Sequence, residues 1–370
     1  MTRRNSPGVF TVLTLEVRDN YTLDEVSSTL TSLENASPAV PLFLSQFWLR
    51  PWLERCETRP LWLTCRDNDR IVSSIFLSTT SYRLPKEPFG SGWFNKTGEA
   101  KQDQIWIEYN DILALPEYRQ EAIRCLLDWC QTQSQQKWIL EITDKPAEWL
   151  QHPAFSAEVM DIPAFRIKLT DAFSDYNAFL SQCSSNSRSR IRRAMKYMQQ
   201  RYGELSQCSL GSQPDPGTLS HMMSLHRRKW GKTSEGSGFD NPFFVDFHRA
   251  LMANEQQHAC HCEVLAFYAG DLCLGYTYNL LNHDTVYFYL SAIEYAEESN
   301  RFQPGLIMHT LAIAYFAGKG FKIYDFMGGD SQYKRSLSNE QYSLTAIHLF
   351  KKTWLTRLLS IIKTTVRRFR

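Results

Sequence analysis

Between Val286 and Lys334 the spacing of apolar residues changes from strand to helix and back to strand. Val286–Ile293 is dense in β-branched and aromatic residues, which predicts a buried strand. A polar loop follows and ends in Gln303-Pro304-Gly305. From Leu306 to Phe316 the apolar positions Leu306, Met308, Leu311, Ala312, Tyr315 and Phe316 fall at helical spacing, and Gly318 and Gly320 end the helix. Ile323–Met327 predicts a second strand and Gly328-Gly329-Asp330 a turn. The helix opens with proline, where no hydrogen bond is lost, and has no acidic side chain in its first turn. A helix start of this kind attracts anions through its unpaired N–H groups and the positive end of its dipole. Gly305 would let a ligand approach that backbone closely.

Upstream, the pattern predicts a strand at Val9–Val17, a helix near Asp24–Leu33 and an aromatic-rich helix at Pro41–Cys56, interrupted near Pro51. Leu61–Arg66 and Arg70–Thr79 flank Asp67-Asn68-Asp69 as a hairpin. Tyr82–Asp103 reads as an exposed loop, Gln104–Leu113 as a strand, Pro116–Gln133 as an amphipathic helix and Trp138–Ile142 as a strand. From Asp175 a similar order returns: helix Tyr176–Tyr202, strand Glu204–Leu210, helices Pro214–Trp230 and Pro242–Glu255, and a hairpin of Glu263–Tyr268 with Leu272–Leu281. The opening unit follows, then a strand pair near Tyr342–Phe350. This order predicts an α+β chain with a mixed sheet and an internal duplication, with the boundary between Asp161 and Asp175. The two halves are residues 1–165 and 166–352, and residues 353–370 form a basic amphipathic helix.

Composition narrows the function classes. The 370 residues are 43% hydrophobic, enough for large cores, and the formal charge of +2 demands no nucleic-acid partner. Nine cysteines without paired spacing suit reduced thiols; Cys260-His261-Cys262 lacks the distant second pair of a zinc site, so no metal is expected. MTRRNSPGVF is not followed by an apolar stretch, and no run reaches membrane-spanning length, which predicts a cytoplasmic location without signal peptide or spanning helix.

The order of elements resembles the second half of the GCN5-related N-acetyltransferase (GNAT) fold. Pro304-Gly305 before a helix, followed by Asp325, Phe326, Gly329, Asp330, Tyr333 and Lys334, resembles the FemAB-like branch described as cellulose-biosynthesis-associated acetyltransferases. The resemblance implies tandem GNAT-like domains, with acetyl-coenzyme A as co-substrate. Its pantetheine arm would lie along Leu290, Ala292 and Ile293, and its pyrophosphate at Gln303, Gly305, Leu306 and Ile307. The common longer glycine-rich loop is reduced here to the single Gly305. In the first half, Ala114-Leu115-Pro116-Glu117 has no glycine, and Glu117 and Glu121 would repel a pyrophosphate, so only the second half is expected to hold the donor.

Acetyl transfer to an amine needs a donor to the carbonyl oxygen, a base for the amine and a proton for the departing thiolate. Backbone N–H groups of Leu290–Ile293 are candidates for the first by resemblance, Asp330 or Glu294 for the base and Tyr333 for the acid. His226, Trp230, Asp325 and Lys334 are candidates for acceptor binding, a ring such as Trp230 being able to stack on a sugar. Each also has an ordinary structural reading: a turn or cap for Asp330, packing for Tyr333, solvent for Glu294. The arginines of Ser184–Arg193 point to an anionic partner or a solvated face, and the tail Thr353–Arg370 to a peripheral contact with an anionic membrane or to docking on its own domain. The function so reached is acyl-coenzyme A-dependent N-acylation of a small-molecule amine, such as an amino sugar or an envelope or polysaccharide precursor. The alternatives are a Fem-type aminoacyl-tRNA-dependent peptidyltransferase and a non-catalytic GNAT-like binding module.

Overall fold

The computed structural model describes residues 12–37, 40–80, 90–233, 236–254, 260–295 and 302–353. The first half supplies strands β1 (Thr14–Arg18), β2 (Leu61–Asp67), β3 (Arg70–Thr80), β4 (Ser91–Phe94), β5 (Leu113–Ala114) and β6 (Lys137–Thr143). Its helices are α1 (Leu23–Ala36), α2 (Gln46–Arg55), α3 (Ala100–Asp103) and α4 (Arg119–Thr132). β7 (Phe155–Lys168) straddles the boundary, and the second half supplies β8 (Leu205–Ser209), β9 (Cys260–Ala269), β10 (Leu272–Asn282), β11 (Thr285–Ile293), β12 (Ile323–Gly328) and β13 (Glu340–Lys351). Its helices are α5 (Tyr176–Gln182), α6 (Ser185–Tyr202), α7 (Pro216–Trp230), α8 (Pro242–Ala253), α9 (Pro304–Gly318) and α10 (Gln332–Leu337). All strands join one mixed sheet in the order β1-β2-β3-β4-β6-β13-β7-β12-β11-β10-β9-β8, with β5 against β3.

The seam between the halves is made by the last strand. β13 pairs antiparallel with β7 along Glu340–Lys351 and, on its other edge, with β6 through Thr345–Phe350. The expected strand pair near Tyr342–Phe350 is thus one long strand, paired on both edges from Thr345 to Phe350.

Each half contains the same device. β4 runs parallel to β6 for three register pairs, Ser91–Lys137 to Trp93–Ile139, and β11 runs parallel to β12 for three, Thr285–Ile323 to Tyr287–Asp325. Beyond these the strands part, leaving a fork in each half. Side chains along β9 alternate between two cores: Cys262, Val264 and Ala266 face α7 and α8, while Leu265, Phe267 and Ala269 face α5, α6 and α9. The first of these cores runs on without interruption into the first half.

Several expectations are corrected. Gln104–Ile112 is not a strand: Trp106 and Tyr109 have left-handed backbone at φ 46° and 51°, and only Leu113–Ala114 reaches the sheet. The expected loop Tyr82–Asp103 contains β4 and α3, while residues 82–89 lie outside the described ones. Helix Tyr176–Tyr202 is divided at Cys183-Ser184, because the Ser184 hydroxyl caps a new helix at the Ser187 N–H. Pro51 does not interrupt α2, whose apolar face holds it in the core. Residues 9–11 and 354–370 lie outside the described residues, the tail helix among them. Among the described residues no helix is long and apolar enough to cross a membrane.

Candidate active site

The fork of the second half opens because β12 becomes irregular after Asp325. The Asp325 carboxylate is 2% exposed and accepts the Met327 N–H at 2.7 Å, which holds Met327 in the left-handed region at φ 59°. A register break follows between Asp325 and Gly328. β12 therefore leaves β11, which runs on to Ile293. Two phenols fix the same carboxylate: Tyr109 donates to Oδ2 at 2.6 Å and Tyr342 to Oδ1 at 2.7 Å. Burial raises the Asp325 pKa, and these donors oppose the rise. The Arg166 guanidinium covers the Tyr342 ring at 4.7 Å.

Tyr109 belongs to the irregular segment 104–112 of the first half, and the residue before it, Glu108, also reaches the fork. Glu108 Oε2 accepts the Gly328 N–H at 2.9 Å. Burial pushes its carboxyl up to about 7, against the pull of that N–H and of Lys334. Lys334 donates to the carbonyls of Gly328 and Met327, and burial lowers its pKa. The segment is anchored on both sides. Asn110 donates from its backbone to Ile142 O at 2.9 Å and from its side chain to Phe94 O at 2.8 Å, which closes the first-half fork between β4 and β6. Tyr289 of β11 donates to Ile105 O and is itself bonded to His248 at 3.1 Å. Left-handed backbone at Asn95, Trp106, Tyr109, Ile142 and Met327 gathers around this one segment. Strain concentrated in this way marks a place where geometry has been given priority over local comfort.

Residues 185–335 match the family described as "Acetyltransferase (GNAT) domain". Over this stretch the chain is similar to GNAT-type acyltransferase domains. Whole-chain likeness extends further, at the level of fold. A structure of FemX aligns over 93% of this chain and 99% of its own with a TM-score of 0.56 at 13% identity. L-PGS from Bacillus licheniformis aligns over 91% and 96% with a TM-score of 0.52 at 8% identity. The C-terminal domain of a proposed lysylphosphatidylglycerol synthetase from Agrobacterium fabrum aligns over 93% and 97% with a TM-score of 0.52 at 6% identity. Among curated proteins, no sequence matches this chain.

Within the GNAT-type domain, the residues singled out from sequence fall into three groups. Asp325 and Lys334 meet at the fork beside Glu108. Asp330 and Glu294 are engaged elsewhere: Asp330 is ion-paired with Arg335, and Glu294 with Arg228 of α7 at 2.7 Å. Tyr333 stacks on His309 of α9 with centroids 5.0 Å apart, and burial raises its phenol pKa. His226 is buried against Phe239, bonded to Ser237 at 2.8 Å and pushed down to about 4, with half-exposed Trp230 beside it.

The donor-side residues line the long limb of the fork and the start of α9. Leu290 and Ala292 direct their side chains into the core and pair with β10 at Tyr278 and Tyr276, while the other edge of β11 is the one β12 has left. Gln303 caps α9 without bonding its first turn through its side chain, and the Leu306 and Ile307 side chains are buried. A Cβ on Gly305 would stand 3.1 Å from Ile293 Cδ1, so this glycine serves close helix–strand packing. Sequence reasoning missed Glu108, Tyr109 and Tyr342. The available signal was Glu108, Asn110 and Asp111 interrupting an otherwise apolar run. Among the described residues no cluster could hold a metal ion, and burial pushes the Cys260 and Cys262 thiols up to about 12.

Proposed function

We propose that this chain is an acyl-coenzyme A-dependent N-acyltransferase of the FemAB-like, cellulose-biosynthesis-associated kind, acting on an amino sugar or related envelope precursor. The observation that carries the reading is the parting of β11 from β12 with a near-neutral carboxyl, Glu108, bonded at its mouth. A base titrating near the working pH is what proton removal from an ammonium acceptor requires. The unpaired edge of β11 from Leu290 to Ile293 suits hydrogen bonding to an extended pantetheine amide chain and to the carbonyl oxygen. The start of α9, with Pro304 and no acid, suits the pyrophosphate. The donor supplies an activated acyl carbon; the rest is done by the chain's own groups.

In the step proposed, Glu108 first takes one proton from the acceptor ammonium, the freed nitrogen lone pair then forms the C–N bond, and the thiolate leaves as the C–S bond breaks, the second nitrogen proton restoring the group that protonates the thiolate. That thiolate needs a proton. Of the two protonated groups nearby, burial makes Lys334 a readier donor and Tyr333 a more reluctant one. Lys334 therefore replaces Tyr333 as the acid, and Glu108 replaces Asp330 and Glu294 as the base. The first-half fork, closed by Asn110, is left without a donor.

Titration calorimetry with acetyl-coenzyme A, followed by a screen of amine acceptors, tests this reading. Binding in the micromolar range that survives Glu108→Gln, with turnover lost, is the expected result; no binding would end it. The fold shared with FemX across nearly the whole chain favours a second reading, aminoacyl transfer from an aminoacyl-tRNA to a cell-wall precursor. Supplying both donors in parallel separates the two.

A further inference from the structure

The outward face of α6 carries charge that no carboxylate among the described residues neutralises. Arg188, Arg192 and Lys196 follow one another at intervals of four, Arg193 lies beside them, and the helix contains no acidic residue. Like charges at this spacing repel and weaken a helix. None of the four forms an ion pair among the described residues. Arg50, Arg124, Arg227 and Arg335, by contrast, each hold a carboxylate. Together with Ser185 and Ser189 the four line a shallow hollow of about 300 Å3 along the helix. The opposite face, Ile191, Ala194, Met195 and Met198, is buried in the second-half core, so α6 is held with its charge pointing outward.

We infer that this face of α6 docks the protein on an anionic phospholipid surface, independently of the acyl donor. Two observations favour a membrane over a nucleic acid. The exposed stripe has no aromatic ring on which a base could stack. The same sequence ends in Thr353–Arg370, where Trp354, Leu355, Leu358 and Ile362 alternate with Arg357, Lys363 and Arg367, a composition suited to the bilayer interface. Durable peripheral attachment takes two signals, one apolar and one polybasic. The tail has the composition of the first, and α6 has the geometry of the second, its apolar side being committed to the core. A basic residue near an anionic leaflet contributes roughly a fivefold gain in partitioning.

Co-sedimentation of the full chain with phosphatidylcholine vesicles, with and without phosphatidylglycerol, tests the inference. Binding should require the anionic lipid and fall as salt is raised toward about 1 M, where screening reaches ~3 Å. The variant R188Q/R192Q/R193Q/K196Q should lose binding by on the order of tenfold or more while retaining its circular dichroism and its acetyl-coenzyme A affinity. A second variant, R188K/R192K/R193K, should bind like the parent. Retained binding by the glutamine variant overturns the proposal. So does equal binding to neutral vesicles, or preferential loss of binding to an RNA or DNA duplex over vesicles. Because neither vesicle binding nor its loss depends on turnover, failure here leaves the acyltransferase reading untouched.

Discussion

Glu108 titrates near 7 because burial costs its carboxylate more than the Gly328 N–H and Lys334 return. A base works only when deprotonated, so kcat/KM should rise with pH and level off above a midpoint close to 7. Glu108→Gln should remove that limb and lower kcat/KM by about 10²–10⁴-fold, as measured by a pH–rate profile. Asp325 has a different task, holding two phenols and the Met327 N–H. Asp325→Asn would replace one acceptor oxygen with a donor facing a phenol, and should cost about 2–4 kcal/mol in urea unfolding. Asp325 and Lys334 were legible in the sequence because they share one short motif. Glu108 was not, because it meets Gly328 across 220 residues and only after Trp106 and Tyr109 adopt left-handed backbone. Neither condition leaves a periodic trace.

At the scale of elements, the apolar periodicities located the strands and helices of the GNAT-type domain well, since each buries one face on a continuous sheet. The errors arose where hydrogen bonds rather than apolar faces decide the outcome: Gln104–Ile112, anchored by Asn110, and the Ser184 cap dividing α5 from α6. α9 is buried nearly all round, and its His309 lies under Tyr333 with a pKa pushed down to about 3. His248 of α8 is likewise pushed down to about 3 and His226 of α7 to about 4, each chiefly by burial. Unfolded histidines take up protons near 6.5, so below that pH the unfolded chain binds more protons than the folded one. Stability should therefore fall as pH drops from about 6.5 toward 4, and His309→Gln should flatten part of that slope in denaturant titrations. Packing sets a further test at Gly275, where φ is 134° and a Cβ would stand 2.2 Å from Ala292 O. Gly275→Ala should destabilise by about 2–4 kcal/mol, read from the urea midpoint, because it meets backbone and not a movable side chain.

At the scale of the molecule, the two halves in which the order of elements recurs share one sheet. One sheet crosses both halves, β13 is gripped by β6 and β7, and the candidate base comes from the half with the closed fork. Unfolding should therefore show one transition by fluorescence and circular dichroism together, and a fragment of residues 166–352 expressed alone should aggregate through its bare strand edges. The place of β13 also bears on how the chain is made. The strand that fills the middle of the sheet leaves the ribosome roughly 200 residues after β6. At ~5–20 residues per second, β6 then waits on the order of 10–40 s for its neighbour. Through that interval the nascent chain exposes an unfilled slot at its centre. A stop codon before residue 340 would make the slot permanent, so loss of β13 should destabilise both halves at once.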